Sequence, residues 1–410
     1  MKNPVRLWYL YDFANSFASV VLIFYYPLLL SEKGASDTWI GVSASIATAL
    51  LLIILPVLGR YSDRTGKRIY FIKIASWLMV LSLVAIAFLS QKTEVFTEAT
   101  LFTLSVLYIL FFTCFQGSYV FYSSMLREIT DSDNSARVSG IGLGFGQLGN
   151  TMALSLIGPI MGSSFIFLGF HDKPLAFLLG AVLFALVSLP FLRQKEAQTN
   201  FPKINFSYKE FLKKIFAVRK VYLFIIGYAL LSDAILTFQL YISLYMRNVF
   251  DFSDKLVTYV AVIGLVGTVL GGFFASKFSV KIKNEERALR IASLMYAVCF
   301  GLCALMPKIT VLVFAVLFMS GVSYGLVFSL ARAVYSKISP PESQGEFFSV
   351  FTVFERAASV IGPLVWIGTF YLFQKFGESI QYRGSILVLA VVCLLGFSFL
   401  RKSGKLPNSV

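Results

Sequence analysis

Runs of roughly 20 apolar residues recur along the whole chain, each long enough at about 1.5 Å per residue to cross a hydrocarbon core about 30 Å thick. Twelve spans are predicted, at 7–30, 38–59, 69–90, 99–124, 138–165, 174–192, 221–246, 256–276, 288–306, 309–336, 346–374 and 383–400. The expected fold class is therefore an all-α polytopic membrane protein. The start, Met1 to Arg6, has the basic character of a signal-peptide n-region. The run behind it is too long, contains Asp12 and lacks a clear small-residue cleavage site, so it stays as span 1.

One polar stretch is longer than the rest. Residues 193–220, RQKEAQTNFPKINFSYKEFLKKIFAVRK, separate six spans from six, which predicts an amino-terminal six-helix bundle at 1–192, a basic linker at 193–220 and a carboxy-terminal six-helix bundle at 221–410. Within the linker, Phe206, Phe211, Leu212, Ile215 and Phe216 interleave with Lys209, Lys213, Lys214 and Arg219. That pattern suits either an amphipathic helix lying on an anionic leaflet or a solvated tether. Six plus six spans also invite a search for duplication. LIGPIMG in span 5 corresponds to VIGPLVW in span 11, matching Gly158-Pro159 to Gly362-Pro363, and Asp12 of span 1 has a counterpart in Asp233 of span 7. These echoes fall in corresponding spans and in the same order, which supports an internal repeat of two pseudo-symmetric bundles.

Composition agrees, with 57% hydrophobic residues. The formal charge of +15 gains meaning from its distribution: 27 of the 36 Lys and Arg residues lie in the two termini and in or at the edges of the loops of one side, and 8 on the other. The positive-inside rule then places both termini in the cytoplasm of a plasma membrane, expected to be a bacterial inner membrane. Basic residues spread over loop edges exclude a nucleic-acid partner. The four cysteines, Cys114, Cys299, Cys303 and Cys393, fall inside spans and read as small core residues.

Ionisable groups inside a span are expensive unless they face protein or water, so each is a candidate functional residue. Asp12 lies six residues past Arg6, about 9 Å along a helix and just under the interface, with Asn15 on its face. The pair suits a gate, a grip on an ammonium-bearing solute, or an interfacial helix start. Asp233 sits deeper, with Thr237 one turn on; a carboxyl at that depth either exchanges a proton, as a proton-coupled carrier requires, or pairs with Arg356. Glu355 and Arg356 are neighbours about 100° apart around a helix, so they face different ways, as a second proton site and a carboxylate binder or as structural partners. Gln116, Tyr119, Gln147, Asn150, Gln239 and Tyr324 are uncharged polar residues that either line an aqueous path or bond between helices. The glycines of GLGFGQLGN, 142–150, lack the preceding strand of a nucleotide-binding loop and read as close helix packing or a bend.

Between spans 2 and 3 stands GRYSDRTGKR, with Gly59, Asp63, Arg64, Gly66, Lys67 and Arg68. So short a link requires a tight turn, for which Gly66 supplies the permissive backbone. The pattern G-x-x-x-D-R-x-G-K-R resembles the signature loop of the major facilitator superfamily. The resemblance implies a fold of two six-helix bundles, a cavity lined by helices 1, 4, 7 and 10, and a conformational gate in which Asp63 meets the start of helix 11 near Gly345. Arg127 and Arg332, near the cytoplasmic ends of their spans, join the gating candidates. The loop of the second half, GGFFASKFSVK, keeps Gly272 and Lys277 but has Ser276 and Ser279 where the aspartate and glycine would be. YDFANSF at 11–17, SDAILTF at 232–238 and GEFFSVF at 345–351 further resemble the vacuole-effluxer-like family within that superfamily, whose vacuolar branch is associated with amino-acid efflux.

The single histidine, His171, lies in a loop with no zinc spacing, nucleophile elbow or phosphate loop, so no enzyme, metal or cofactor is expected. The expected function is secondary active transport of a small solute by alternating access, with amino acids as the first candidates and protons as the candidate coupling ion. The expected unit is a monomer in a lipid bilayer. A non-transporting receptor or scaffold with a transporter fold is the alternative.

Overall fold

The structure is a computed structural model and describes residues 4–65, 67–92, 95–125, 129, 132–196, 216, 218–339, 351, 354, 355 and 360–406. Among them run twelve α-helices: α1 Pro4–Glu32, α2 Asp37–Thr65, α3 Arg68–Lys92, α4 Glu98–Ser124, α5 Ser132–Ile157, α6 Asp172–Leu192, α7 Arg219–Phe250, α8 Asp254–Ile282, α9 Glu285–Leu305, α10 Thr310–Ile338, α11 Ile361–Leu372 and α12 Glu378–Ser403. Nine of these described helices are long and apolar enough to cross a membrane. In lipid every backbone N–H and C=O must bond internally, and a helix meets that demand within one segment.

Several boundaries differ from the sequence expectation: α8 continues to Ile282, so Gly272, Ser276, Lys277 and Ser279 lie on helix and not in a loop, and two further cases show the physical reasons. The second span ends at residue 59 by hydropathy, yet α2 continues to Thr65, so Gly59, Asp63 and Arg64 lie on helix and not in a loop. Apolarity stops where the lipid stops, whereas hydrogen bonding carries the helix on. The fifth span reaches 165 by hydropathy, but α5 stops at Ile157 and a 3-10 turn, Gly158–Ile160, follows with Pro159 inside it. Proline removes an amide donor and clashes with the preceding turn. The apolar residues beyond, Phe165 to Leu168, stand exposed beside an isolated bridge between Phe167 and Phe170.

The chain divides into two compact units, Met1–Lys203 with Phe252–Tyr259, and Ile204–Asp251 with Val260–Val410. In the first, α1 packs against α5 and α6, α3 against α4 and α6, and α2 against α4. In the second, α7 packs against α11 and α12, and α9 against α10 and α12. The first helix of each six thus meets the fifth and sixth, and the third meets the fourth and sixth, as a duplicated bundle requires. α1 and α7 are buried along most of their length, while α3, α4 and α8 turn Trp77, Leu81, Phe102 and Phe273 outward. Outward apolar side chains suit lipid, so the central helices are free to carry polar groups.

Candidate functional site

The first unit gathers its polar groups around α1. Trp8 stacks on Tyr122 of α4 with ring centroids 4.2 Å apart and donates its indole N–H to the Tyr122 carbonyl at 2.9 Å. One turn along, the Tyr119 hydroxyl donates a short hydrogen bond to Asp12 Oδ1. Moving up α1 therefore moves down α4, an antiparallel register that continues to Tyr26, stacked on Tyr108 at 4.9 Å. The same register sets Asn15, three residues past Asp12, level with Gln116, three residues before Tyr119. Both are buried, and Asn15 Oδ1, Asn15 Nδ2 and Gln116 Oε1 have no hydrogen-bond partner among the described residues. Buried polar atoms without partners cost about 1–3 kcal/mol each, so a set of them at one level is a candidate site.

The glycine run of α5 forms the wall behind Asp12. A Cβ on Gly146 would lie 3.2 Å from the Asp12 carboxylate, and one on Gly142 would lie 2.5 Å from the Trp8 ring. Gly149 faces Phe13 and Ser16 in the same way, and Ser16 Oγ donates to the Gly146 carbonyl at 2.7 Å. Close packing is thus what this run does, as its composition suggested. Gln147 and Asn150, on the same helix, bond to each other at 3.4 Å and are not brought to Asp12 by any described contact.

The second unit repeats the theme with different chemistry. Asp233 Oδ1 accepts the Gly362 N–H at 2.7 Å, at the amino-terminal end of α11, where helix amides lack internal acceptors. Any side chain at 362 would collide with Thr237 Oγ1 and lie 2.5 Å from Asp233 Oδ1, so glycine is required for this approach. Thr237 is buried and its hydroxyl has no partner among the described residues. One further turn along both helices, Tyr241 stacks on Trp366 at 4.4 Å, and the Trp366 indole N–H is also unpartnered among the described residues. Glu355 is held apart from this face: it accepts from the Tyr228 hydroxyl at 2.7 Å, five residues and about 7.5 Å along α7 from Asp233. Gln239 lies about 120° around α7 from Asp233, so the helix does not bring it to that site. Tyr324 stacks on Phe328 at 4.4 Å, and Arg332 is half-buried two turns on along α10.

Of the loop candidates, Lys67 is exposed and Arg68, the first residue of α3, is buried. Gly59, Asp63 and Arg64 are described in their backbone alone, and Gly66, Arg127, Gly345 and Arg356 lie outside the described residues altogether.

Two features escaped sequence reasoning. Glu196, just past α6, accepts from the Ile69 and Tyr70 amides at 3.1 and 2.6 Å and so caps α3. Lys173, at the start of α6, is buried and ion-paired to Glu32 at 2.7 Å, Asp172 at 3.1 Å and Asp254 of the first unit. These three acids form the metal-compatible cluster among the described residues, but the lysine ammonium already bonds to all of them.

The chain's relatives agree with this architecture. A sequence model of the Major Facilitator Superfamily matches residues 8–363. An uncharacterised transporter of that type from Bacillus subtilis, YxiO, is 25% identical across 96% of this chain and 93% of its own length. Autophagy-related protein 22 of Vanderwaltozyma polyspora is 25% identical across 44% of this chain and 36% of its own. Among solved structures, a point mutant of the nucleoside transporter NupG superposes with a TM-score of 0.78 at 13% identity, covering 98% of this chain and all of that one. A D-xylose-proton symporter superposes at 0.75 and 14% identity, covering 98% and 97%. With duplicated six-helix packing, buried carboxylates on its central helices and a family match over most of its length, the chain belongs to the Major Facilitator Superfamily and is a secondary transporter, not an enzyme.

Proposed function

We propose that the protein carries a small ammonium-bearing solute, such as an amino acid, across a bacterial plasma membrane by alternating access, coupled to protons. It works as a monomer with both termini in the cytoplasm. Asp12, Asn15 and Gln116 receive the solute, and Tyr119 holds Asp12 until it arrives. Asp233, with Thr237, is the proton-exchanging group, and Glu355 with Arg356 and the 59–68 segment, Arg127 and Arg332 serve the conformational cycle.

The observation that carries this reading is the pair of buried aspartates, each hydrogen-bonded to an uncharged donor and each beside unpartnered polar atoms. At Asp233 the described donor is a backbone amide, whereas a carboxylate meant only to fix the fold would be expected opposite a cation. At Asp12 the unpartnered amide oxygens of Asn15 and Gln116 add acceptors for an ammonium group. The D-xylose-proton symporter among the fold relatives couples a solute to protons by its own description, which is compatible with such coupling here.

The test is purified protein in liposomes with an imposed proton gradient and a panel of labelled amino acids, sugars and nucleosides. Uphill movement of amino acids is expected, and Asp233→Asn is expected to abolish it while solute exchange continues. Full uphill transport by that variant removes Asp233 from coupling; transport of sugars alone replaces the solute class.

A further inference from the structure

The second unit holds a cavity of about 290 Å³ that the transport reading does not use. It lies where α9 begins and α12 ends. Its walls carry four cations, Arg287 and Arg290 from α9 and Arg401 and Lys405 from the end of α12, and its lower edge is Leu294 and Phe397. Arg287, Arg401 and Lys405 have no ion-pair partner among the described residues. The one acid close by, Glu286, bonds Lys220 at 2.8 Å and only approaches Arg290, at 4.0 Å. Gly404 leaves room for Arg290, since a Cβ there would collide with its guanidinium.

Four like charges around one hollow repel one another, and the hollow is filled well only by an anion. What lies beyond the cavity identifies the anion's source. Leu294, Val298 and Leu302 follow one another at four-residue spacing along α9, each about half exposed, and Val391 and Leu394 are exposed on α12. An apolar stripe thus leads from a cationic hollow at the end of the helices toward their middle.

We propose that this cavity binds the phosphate head group of an anionic membrane phospholipid, with its acyl chains on the exposed stripe of α9 and α12. Arginine forks hold the phosphate oxygens bidentately, and the lysine adds a point charge. A soluble phosphate would use the cations but leave the stripe unused.

The experiment uses the full chain purified in neutral detergent. Binding and thermal protection are read for phosphatidylglycerol, with phosphatidylcholine as the zwitterionic control and inorganic phosphate as the soluble one. Phosphatidylglycerol is expected to bind at least tenfold tighter than phosphatidylcholine. Removing two charges in Arg287→Gln/Arg401→Gln should weaken it by roughly thirtyfold, from about fivefold per basic residue. Lys405→Gln, past the end of α12, should weaken it about fivefold and keeps the test open should the double variant not fold. Lys255→Gln, an exposed cation at the start of α8, removes the same charge elsewhere and should change nothing. Equal binding of the two lipids, parental affinity in the cavity variants, or equal protection by inorganic phosphate would each overturn the proposal.

Discussion

Lys173→Met tests the electrostatic reading of the first unit most directly. The lysine side chain is 1% exposed, and its three carboxylate partners lie with oxygens within 4.8 Å of one another. Methionine keeps the length and apolar stem but removes the charge, leaving three acids facing each other. Breaking a buried ion pair by deleting one partner typically costs about 3–5 kcal/mol. Here Glu32 is 39% and Asp172 26% exposed, so water screens part of the repulsion, and the expected loss falls to about 2–3 kcal/mol. Asp254, the least exposed of the three, anchors the beginning of α8, where Thr258 also bonds the Tyr25 hydroxyl at 3.1 Å. Thermal unfolding in detergent, followed by labelling of the buried cysteines, should show a midpoint several degrees lower for the variant. Adding Glu32→Gln, Asp172→Asn and Asp254→Asn to it should recover most of the loss. A quadruple variant no more stable than Lys173→Met, or a single variant as stable as the parent, refutes the charge argument.

Other expectations are narrower. Gly362→Ala puts a methyl group into the space of Thr237 Oγ1 and 2.5 Å from Asp233 Oδ1, so the bond from the 362 amide should be lost and gradient-driven uptake into liposomes should fall at least tenfold. Near-parental uptake would show that the α7–α11 approach is not part of the cycle. Glu196→Ala frees two amides at the start of α3 and should cost about 1 kcal/mol, read as faster hydrogen exchange at Ile69 and Tyr70. Asn15→Leu removes two unpartnered polar atoms, so it should hold or raise the thermal midpoint while weakening solute binding. A fall in stability would assign Asn15 to the fold.

The fold was legible because a bilayer imposes one dominant rule, that a spanning segment be apolar for about 20 residues and helical. Hydropathy misplaced the ends of α2 and α5 because it reports lipid contact and not hydrogen bonding. Asp12 and Asp233 stood out as charges inside apolar runs, but their partners did not: Tyr119 is 107 residues from Asp12, and Gly362 is 129 from Asp233. Lys173 escaped because a charge at the end of a span is ordinary in sequence, and only the chain's folding brings Glu32 and Asp254 to it. Glu196 was similarly hidden at the start of a basic linker. In sequence the four cations of the α9–α12 cavity speak only to orientation, since nothing in their spacing shows that they share a hollow.

The duplicated halves place their aspartates differently, and the difference supports the division of roles proposed for them. Asp12 is eight residues from the start of α1, about 12 Å along it, whereas Asp233 is fourteen from the start of α7, about 21 Å along it. Asp12 accepts a hydrogen bond from a tyrosine hydroxyl, a side-chain donor that can rotate without moving its helix. Asp233 takes its bond from a backbone amide at a helix end, which moves only if α11 moves. A partner that yields to a solute suits binding, and a partner fixed to a helix suits coupling, because a change of charge on Asp233 changes the hold on α11 itself. Tyr119→Phe should therefore leave solute affinity within a few fold of the parent, while Gly362→Ala alters the cycle and not the affinity. Reversal of those two outcomes would exchange the roles of the two carboxyl groups.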